Sequence, residues 1–449
     1  MRLANKTLVR YPLAVCLGLA GFTLDLVAYY PGFMSPDSLD VYTQSVTHHY
    51  IDTHPPIMAL WWGVLNYVYR GPQVMLVFQL AVLWTSFYFL AISWFSSRRS
   101  QVWFFCCLLL APFIQNFVAY LIGDPQMALS WLLGVSIMAR AEYKKRRMTI
   151  PEAIFSFLFI FYGSLVRINA LPGALPLFYF YFAHYLKWRQ YRWAIIGTCI
   201  SAVLVIGLQI FFNDILKPER RYPEYKLYLH DLSGIYVKTG KNYFPSFIRQ
   251  YQGFDTNYLK ANYTTATFDH LYWNDEQKIS FPRLNENNKH IIRRAWINGI
   301  SDNPGTYLQN RWDGFLYYLH FKRRAWLVVL HAEVSPNNLG ISFKRNFISD
   351  LFLKPIKFQS WMVYMKPWFW LIMNVITLIA CFFAYNLIIK KIVFILSISS
   401  LLYLLAEFFI FPVDTDFRYF YWNCLAVFIS VLFLLRDRGL KNSRVEMNY

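Results

Sequence analysis

The chain has 449 residues, of which 57% are hydrophobic and 15% charged, yet its formal net charge is +19. The abundance of aromatic and large aliphatic residues excludes a disordered chain, and six cysteines are too few for a disulfide scaffold. The apolar runs are longer than a globular core needs, which argues against a soluble nucleic-acid-binding protein.

Ten segments reach or approach the length of about 20 mostly apolar residues that a membrane-spanning helix requires. They are 11–30, 72–96, 101–122, 125–140, 151–166, 170–186, 193–213, 361–389, 392–411 and 419–435. One basic cluster precedes the first segment, and others follow the second, fourth, sixth, eighth and tenth segments. This is the positive-inside pattern, and it predicts that both termini are cytoplasmic.

One further apolar segment, PPIMALWWGVLNYVY at 55–69, is shorter than a span. Counting it as a span would move Arg98 and Arg99, and the basic cluster at 144–147, to the outer side. Its two Trp and two Tyr suit the headgroup level of a bilayer. We therefore predict an interfacial helix within a first outer loop at 31–71.

The spans divide the chain into three parts. Residues 1–213 form an N-terminal transmembrane module, 214–360 an outer domain, and 361–449 the C-terminal transmembrane helices. The part 284–332 reads as helical with a break at Asn303-Pro304-Gly305, so we expect the outer domain to be mainly helical.

The charge is distributed unevenly between these parts. The cytoplasmic segments hold 19 Lys and Arg against three acids, and the outer domain holds 21 against 13. The spans and short outer loops hold four basic residues and nine acids. The basic excess therefore sets membrane orientation, whereas the outer face next to the membrane is acidic.

The cysteines all lie in predicted spans, so the outer domain has no disulfide framework. No Cys and His spacing is typical of a metal site. We predict no resident cofactor, and the sequence leaves a dependence on a divalent metal open.

Polar residues from four separate loops fall on the outer side in this topology. They are Asp37, Asp40, Asp52 and His54 in the first outer loop, Asp124 in LIGDPQ, Arg167 and Asn169 in SLVRINALPG, and Asp414, Asp416, Arg418 and Tyr419 in FPVDTDFRYFYW. Ionisable groups near lipid are costly, so their convergence indicates a functional site.

Most of these residues also have a structural interpretation. Asp37 and Asp124 could each cap the helix that starts there. His54 could be a structural hydrogen-bond donor, and Arg418 could pair with the acids beside it. Arg167 has the weakest structural alternative, because no lipid-facing role suits an arginine between apolar runs.

Arginines and carboxylates at this level suit one kind of chemistry. An arginine binds phosphate through two parallel hydrogen bonds, and a carboxylate accepts a proton from an incoming hydroxyl. The outer face lies away from the nucleotide sugars of the cytoplasm. We therefore predict transfer of a sugar from a polyprenyl-phosphate carrier to an extracytoplasmic acceptor.

The first outer loop, SPDSLDVYTQ followed by DTHPP, resembles the outer-loop signature of the GT-C membrane glycosyltransferases. AWINGISDNPGTYLQNRWDGF and LSGIYVKTGKNYFP resemble outer-domain segments of the bacterial O-antigen glucosyltransferase type, and DFRYFYWN resembles its Arg-Tyr element. The sequence has PDS where protein O-mannosyltransferases have an Asp-Glu pair. It has no Trp-Trp-Asp motif, which argues against an oligosaccharyltransferase.

The resemblance implies an all-α polytopic membrane protein with about 10 transmembrane helices, outer juxtamembrane helices and a mainly helical outer domain. It makes Asp37 the general base or acceptor-orienting carboxylate and Asp124 the second catalytic acid. Arg167 and Arg418 would hold the carrier phosphate, and His54 would shape the pocket. The remaining predicted substrate-binding residues are Asp40, Asn169, Asp416 and Tyr419.

The expected partners are a polyprenyl-phosphate-linked donor of a hexose, an envelope glycan acceptor such as O-antigen, and membrane lipid, with no nucleic acid. The expected location is a bacterial inner membrane with the large loop in the periplasm. A transporter or flippase of lipid-linked saccharides is one alternative, although the charged residues line one face and no inverted repeat is visible. A polysaccharide polymerase or ligase is another.

Overall fold

The computed structural model describes residues 10–95, 97–186, 190–272, 281–322, 328–410 and 416–446. Of the residues that the structure describes, 74% are helical. The α-helices are α1 (Arg10–Tyr29), α2 (Pro36–Thr47), α3 (Ile57–Asn66), α4 (Pro72–Trp94), α5 (Arg98–Leu110), α6 (Pro112–Gln115), α7 (Gly123–Tyr143), α8 (Ile150–Leu165), α9 (Leu171–Tyr185), α10 (Tyr191–Leu216), α11 (Glu224–Thr239), α12 (Ser246–Arg249), α13 (Thr256–Asn262), α14 (Asp269–Tyr272), α15 (Lys289–Asp302), α16 (Pro304–Tyr318), α17 (Phe347–Phe358), α18 (Pro367–Cys381), α19 (Leu387–Ile410) and α20 (Tyr421–Glu446). Short 3₁₀ turns lie at Ile168–Ala170, Gln359–Trp361, Val363–Met365 and Phe417–Phe420.

Within the described parts of the chain, five helical stretches are long and apolar enough to cross a membrane. They are Pro12–Tyr29, Pro72–Trp94, Tyr191–Leu216, Leu387–Phe409 and Phe417–Asp437. Helices α8 and α18 are apolar but shorter. The fold is therefore that of a helical protein with several helices that could span a membrane, and the count of about ten spans stays a prediction.

The predicted third span, 101–122, is not one helix. Helix α5 ends at Leu110, and Ala111 adopts an extended conformation with φ −74° and ψ 107° before Pro112. Proline lacks an amide hydrogen and disfavours helical geometry in the residue before it. After the single turn of α6, the residues up to Ile122 are buried and not helical.

Helix α7 is the most deeply buried helix of the bundle, with nearly every residue inaccessible to solvent. Gly134 allows α8 to approach closely, because a Cβ there would lie 2.6 Å from Cγ1 of Ile160. The Trp131 indole donates to the Ile160 carbonyl at 3.1 Å, and the Ser156 hydroxyl donates to the Gly134 carbonyl at 2.9 Å. This packing holds α7, the helix that carries Asp124, against α8.

Helix α3 covers much of the predicted interfacial segment. Its ten residues extend about 15 Å, half the thickness of a bilayer core. Trp62 is buried against Tyr42 of α2, with ring centroids 5.2 Å apart. Val64, Tyr67 and Val68 are exposed. The length agrees with the prediction that this segment does not span the membrane.

Part of the segment predicted to be the outer domain, residues 222–292, has its own hydrophobic core. It is formed by Tyr222, Tyr225, Leu229, Leu232, Phe244, Ile248, Leu259, Phe268, Leu271, Phe281, Leu284 and Ile292. Arg311 and Asp231 form a buried ion pair of 2.6 Å within it. The predicted helix break at Asn303 is confirmed, since α15 ends at Asp302 and α16 begins at Pro304.

Candidate functional site

Two short backbone pairings fix the start of the first outer loop. Phe33 pairs with 119–121 through hydrogen bonds of 2.8 and 3.0 Å, and Met34 pairs with 333–335 through bonds of 3.0 and 2.8 Å. Three distant parts of the chain therefore meet at this point. Helix α2 begins directly after it and places Asp37 at the same junction.

Asp37 is not the cap of its helix. Ser35 occupies that position, and its hydroxyl accepts a hydrogen bond from the Ser38 amide at 3.3 Å. The capping interpretation of Asp37 is therefore wrong, and its side chain, 47% exposed, is available for other contacts. His54 Nε2 lies 3.9 Å from one carboxylate oxygen, and Arg418 Nη2 lies 3.9 Å from the other.

Neighbouring side chains keep Asp37 ionised. His54 is the main cause, with smaller contributions from Arg418 and Lys226, and together they lower the pKa of Asp37 from 3.8 to about 2 despite partial burial. The carboxylate is therefore a hydrogen-bond acceptor at every physiological pH.

Asp124 lies in the first turn of α7 and is almost completely buried. Arg167 Nε is 3.0 Å from its Oδ1, and Arg418 Nε is 3.7 Å from its Oδ2. A buried carboxylate needs such compensation, because an unpaired charge in the interior is costly. The structure thus brings three of the predicted site residues into one charged group.

Gly123 allows this approach. A Cβ at this position would lie 2.9 Å from the Val166 carbonyl oxygen and 3.2 Å from Cδ of Arg167. We expect Gly123→Ala to lower the free energy of unfolding by about 1–3 kcal/mol, because the turn carrying Arg167 must move. Thermal unfolding of the purified protein measures the change.

Gly305 is the matched control for that substitution. It lies near the start of α16, and a Cβ there would meet nothing within 4 Å. Gly305→Ala should therefore leave stability unchanged or slightly raised. Equal stability of the two variants would contradict the close approach at Gly123.

Arg418 is the centre of the site. Its Nη1 donates to the Tyr120 hydroxyl at 2.9 Å and its Nη2 to the Tyr419 hydroxyl at 3.2 Å. Its Nε lies 3.1 Å from Asp416. Asp37 and Asp124 also lie within 4 Å, so one guanidinium is close to three of the predicted carboxylates.

Aromatic rings enclose the two arginines. The guanidinium carbons of Arg167 and Arg418 lie 5.3 and 5.1 Å from the Tyr419 ring centroid, a cation–π arrangement. The Tyr120 ring is stacked on His331 at 4.5 Å and faces Arg418. Tyr120 and His331 were not predicted from the sequence. The sequence signal that could have indicated Tyr120 is its position four residues before Asp124.

The charged group has unused hydrogen-bonding capacity. Within the described ranges, both oxygens of Asp124, the Nε atoms of Arg167 and Arg418, and the hydroxyls of Tyr318 and Tyr403 are buried without a hydrogen-bond partner. The ion pairs balance charge, but their angles do not make hydrogen bonds. Buried polar atoms without partners are rare in folded proteins, so their concentration here marks this group as a candidate functional site.

Two of the predicted substrate-binding residues lie outside this centre. Asn169 donates to buried Glu407, so it joins the 3₁₀ turn after Arg167 to α19. Asp40 accepts from Gln44 at 3.3 Å, and burial raises its pKa although Arg221 opposes the shift. Asp414 lies outside the described residues.

Asp52 has a structural role. Its carboxylate accepts hydrogen bonds from the backbone amides of Arg221 at 2.7 Å and Tyr222 at 3.3 Å. The first outer loop thereby holds the start of the outer domain. Among the residues described, no group of three or more His, Cys, Asp or Glu is arranged to hold a metal ion.

Comparisons with known proteins leave the family open. No family model, no curated protein and no solved structure matches the chain. The likeness to GT-C glycosyltransferases accordingly rests on the short motifs of the first outer loop, the outer domain and the segment around Arg418.

Proposed function

We propose that this protein is an integral membrane glycosyltransferase. It transfers a hexose from a polyprenyl-phosphate carrier to an extracytoplasmic acceptor such as O-antigen or another envelope glycan. The observation that supports this most strongly is the position of Asp37. A half-exposed, ionised carboxylate lies beside Arg418, which with Arg167 encloses the buried Asp124.

Arg167 and Arg418 are placed to stabilise the negative charge of the leaving phosphate. When the bond between the sugar's anomeric carbon and the phosphate oxygen breaks, the electron pair stays on that oxygen and negative charge develops there. Arg167 and Arg418 are held in place by Asp124 and Asp416, so they need little reorganisation to stabilise that charge. Neither arginine needs to leave its ion pair to do so.

Asp37 binds the acceptor hydroxyl and takes its proton. Its carboxylate accepts a hydrogen bond from the acceptor hydroxyl, whose oxygen then bonds to the anomeric carbon and whose proton passes to Asp37. A carboxylate with a pKa of about 2 is a weak base. It therefore orients the hydroxyl first and takes the proton late, when the acceptor oxygen has become acidic through bonding to the sugar.

His54 offers a test through pH. His54→Gln should raise the pKa of Asp37 from about 2 towards 3.8, because the largest cause of its depression is lost. Asp37 then becomes protonated at higher pH, so the acid limb of the rate of sugar transfer should move to higher pH. Rates across the acid range measure the shift.

His49 is the control for that substitution. It is exposed and lies 3.9 Å from Glu219, not from Asp37. His49→Gln should leave the acid limb where it is in the parent protein. An acid limb that moves equally in both variants would contradict the role of His54.

The proposed function is tested by asking whether the acceptor glycan gains a hexose when the protein is present. Envelope glycans from bacteria with and without the gene are compared by mass spectrometry, and the purified protein is supplied with polyprenyl-phosphate hexose in vesicles. We expect a mass difference of one hexose per modified unit that depends on the chain. Identical glycans, together with no hexose transfer in vesicles, would refute the proposal.

A further inference from the structure

A groove of about 470 Å³ lies at the end of α1, apart from the charged site. It is lined by Leu26, Val27, Tyr30, Pro31, Ser342, Lys344 and Asn346. The last turn of α1 supplies one wall and an extended segment before α17 supplies the other. The Asn346 side-chain amide joins the two walls by donating to the Val27 carbonyl at 2.8 Å.

The lining combines an apolar wall with a cation. Leu26 and Val27 belong to an apolar helix that could cross a membrane. Alternate residues of the extended segment, Ser342 and Lys344, supply a hydroxyl and an ammonium group. Among the described residues Lys344 has no acidic side chain within 4 Å. A phosphate with attached acyl chains matches both features.

The groove is separated from Asp37 by aromatic rings. Phe33 is fully buried, and its ring packs on Tyr29 at 5.5 Å and on Phe343 at 4.9 Å. Phe343 stands between Ser342 and Lys344 in the chain and faces the opposite way. These rings pack between the groove lining and the loop that leads to Asp37, which favours a resident lipid over a sugar donor.

Helix α17 extends the same surface. It begins with an Asn346 and Ser349 capping box, and its inner face is buried against the bundle. On its outer face Phe347, Leu351 and Phe358 are 78%, 58% and 71% exposed. Large exposed apolar side chains beside lysines are typical of a helix lying in a bilayer interface.

We propose that this groove binds one anionic phospholipid, with the phosphate on Lys344 and Ser342 and the acyl chains along Leu26 and Val27. Helix α17 lies at the headgroup level beside it. The bound lipid stabilises the junction between α1 and α17. This binding does not depend on the proposed glycosyltransferase activity.

Native mass spectrometry of the full chain tests the proposal. The protein is purified, depleted of lipid and titrated with phosphatidylglycerol or phosphatidylcholine. We expect one tightly held phosphatidylglycerol and a preference for it over phosphatidylcholine. Lys344→Glu should weaken phosphatidylglycerol binding about tenfold or more, because an attraction becomes a repulsion. Val27→Trp should weaken it by filling the groove.

Lys241→Glu is the control. Lys241 is exposed in the outer domain after α11, and the change in net charge is the same. Folding of each variant is checked by thermal unfolding and gel filtration. Equal phosphatidylglycerol binding by the Lys344, Val27 and control variants would overturn the proposal. Displacement of the bound lipid by polyprenyl phosphate at lower concentration than by phosphatidylglycerol would overturn it too, in favour of a donor site.

Discussion

Asp37→Asn is expected to lower the rate of sugar transfer about a thousandfold, the range in which a positioned proton acceptor contributes. The amide cannot take the proton of the acceptor hydroxyl, although it keeps the size of the side chain. The helix should not suffer, because Ser35 provides the cap and Asp37 is half exposed. Turnover of the purified protein at saturating lipid donor, together with its thermal unfolding, measures both effects.

Asp40→Asn is the matched control for this substitution. Asp40 lies one turn further along α2 and contacts Gln44 instead of Arg418. Its replacement should cost far less transfer than that of Asp37. Full activity of the Asp37 variant would remove this carboxylate from the mechanism and leave Asp124 as the acid to examine.

The placement of charged residues was the most predictable part of the site. Charges are costly at the edge of an apolar span, so each must find a partner. Arg167 and Asp124 illustrate this, since they are 43 residues apart in the sequence and 3.0 Å apart in the structure. The break at Asn303 was predictable because proline follows it directly.

Partners supplied by distant backbone were not predictable. Capping was the structural alternative for Asp37, but Ser35 precedes the proline and takes that position. Tyr120 and His331 meet only because 119–121 and 333–335 pair on either side of Phe33 and Met34. No local periodicity encodes such pairing. It holds 119–121 in a non-helical conformation, whereas the helix break at Ala111 comes from Pro112.

Arg418→Ala is the second change with a large expected effect. The guanidinium is mostly buried and lies near Asp37, Asp124 and Asp416, so its loss leaves carboxylates without compensation. We expect a loss of about 3 kcal/mol in the free energy of unfolding, the lower end for a broken buried pair because Arg167 still faces Asp124. Transfer should fall about a hundredfold or more, with a higher requirement for lipid donor.

A double variant separates stability from chemistry. Arg418→Ala combined with Asp416→Asn removes both members of the 3.1 Å pair, so much of the lost stability should return. Transfer should stay low, because the group that faces the leaving phosphate is still absent. Recovery of transfer in parallel with stability would mean that Arg418 acts only as a structural counter-ion.

Arg418→Lys asks whether charge alone suffices. A lysine keeps the positive charge but has no planar fork, so it cannot contact Tyr120 and Tyr419 while facing Asp416. Stability should lie between those of the parent and the alanine variant, and the donor requirement should stay raised. A lysine variant with the parent's donor dependence would show that one positive charge at this position is enough, and that the phosphate is held through Arg167.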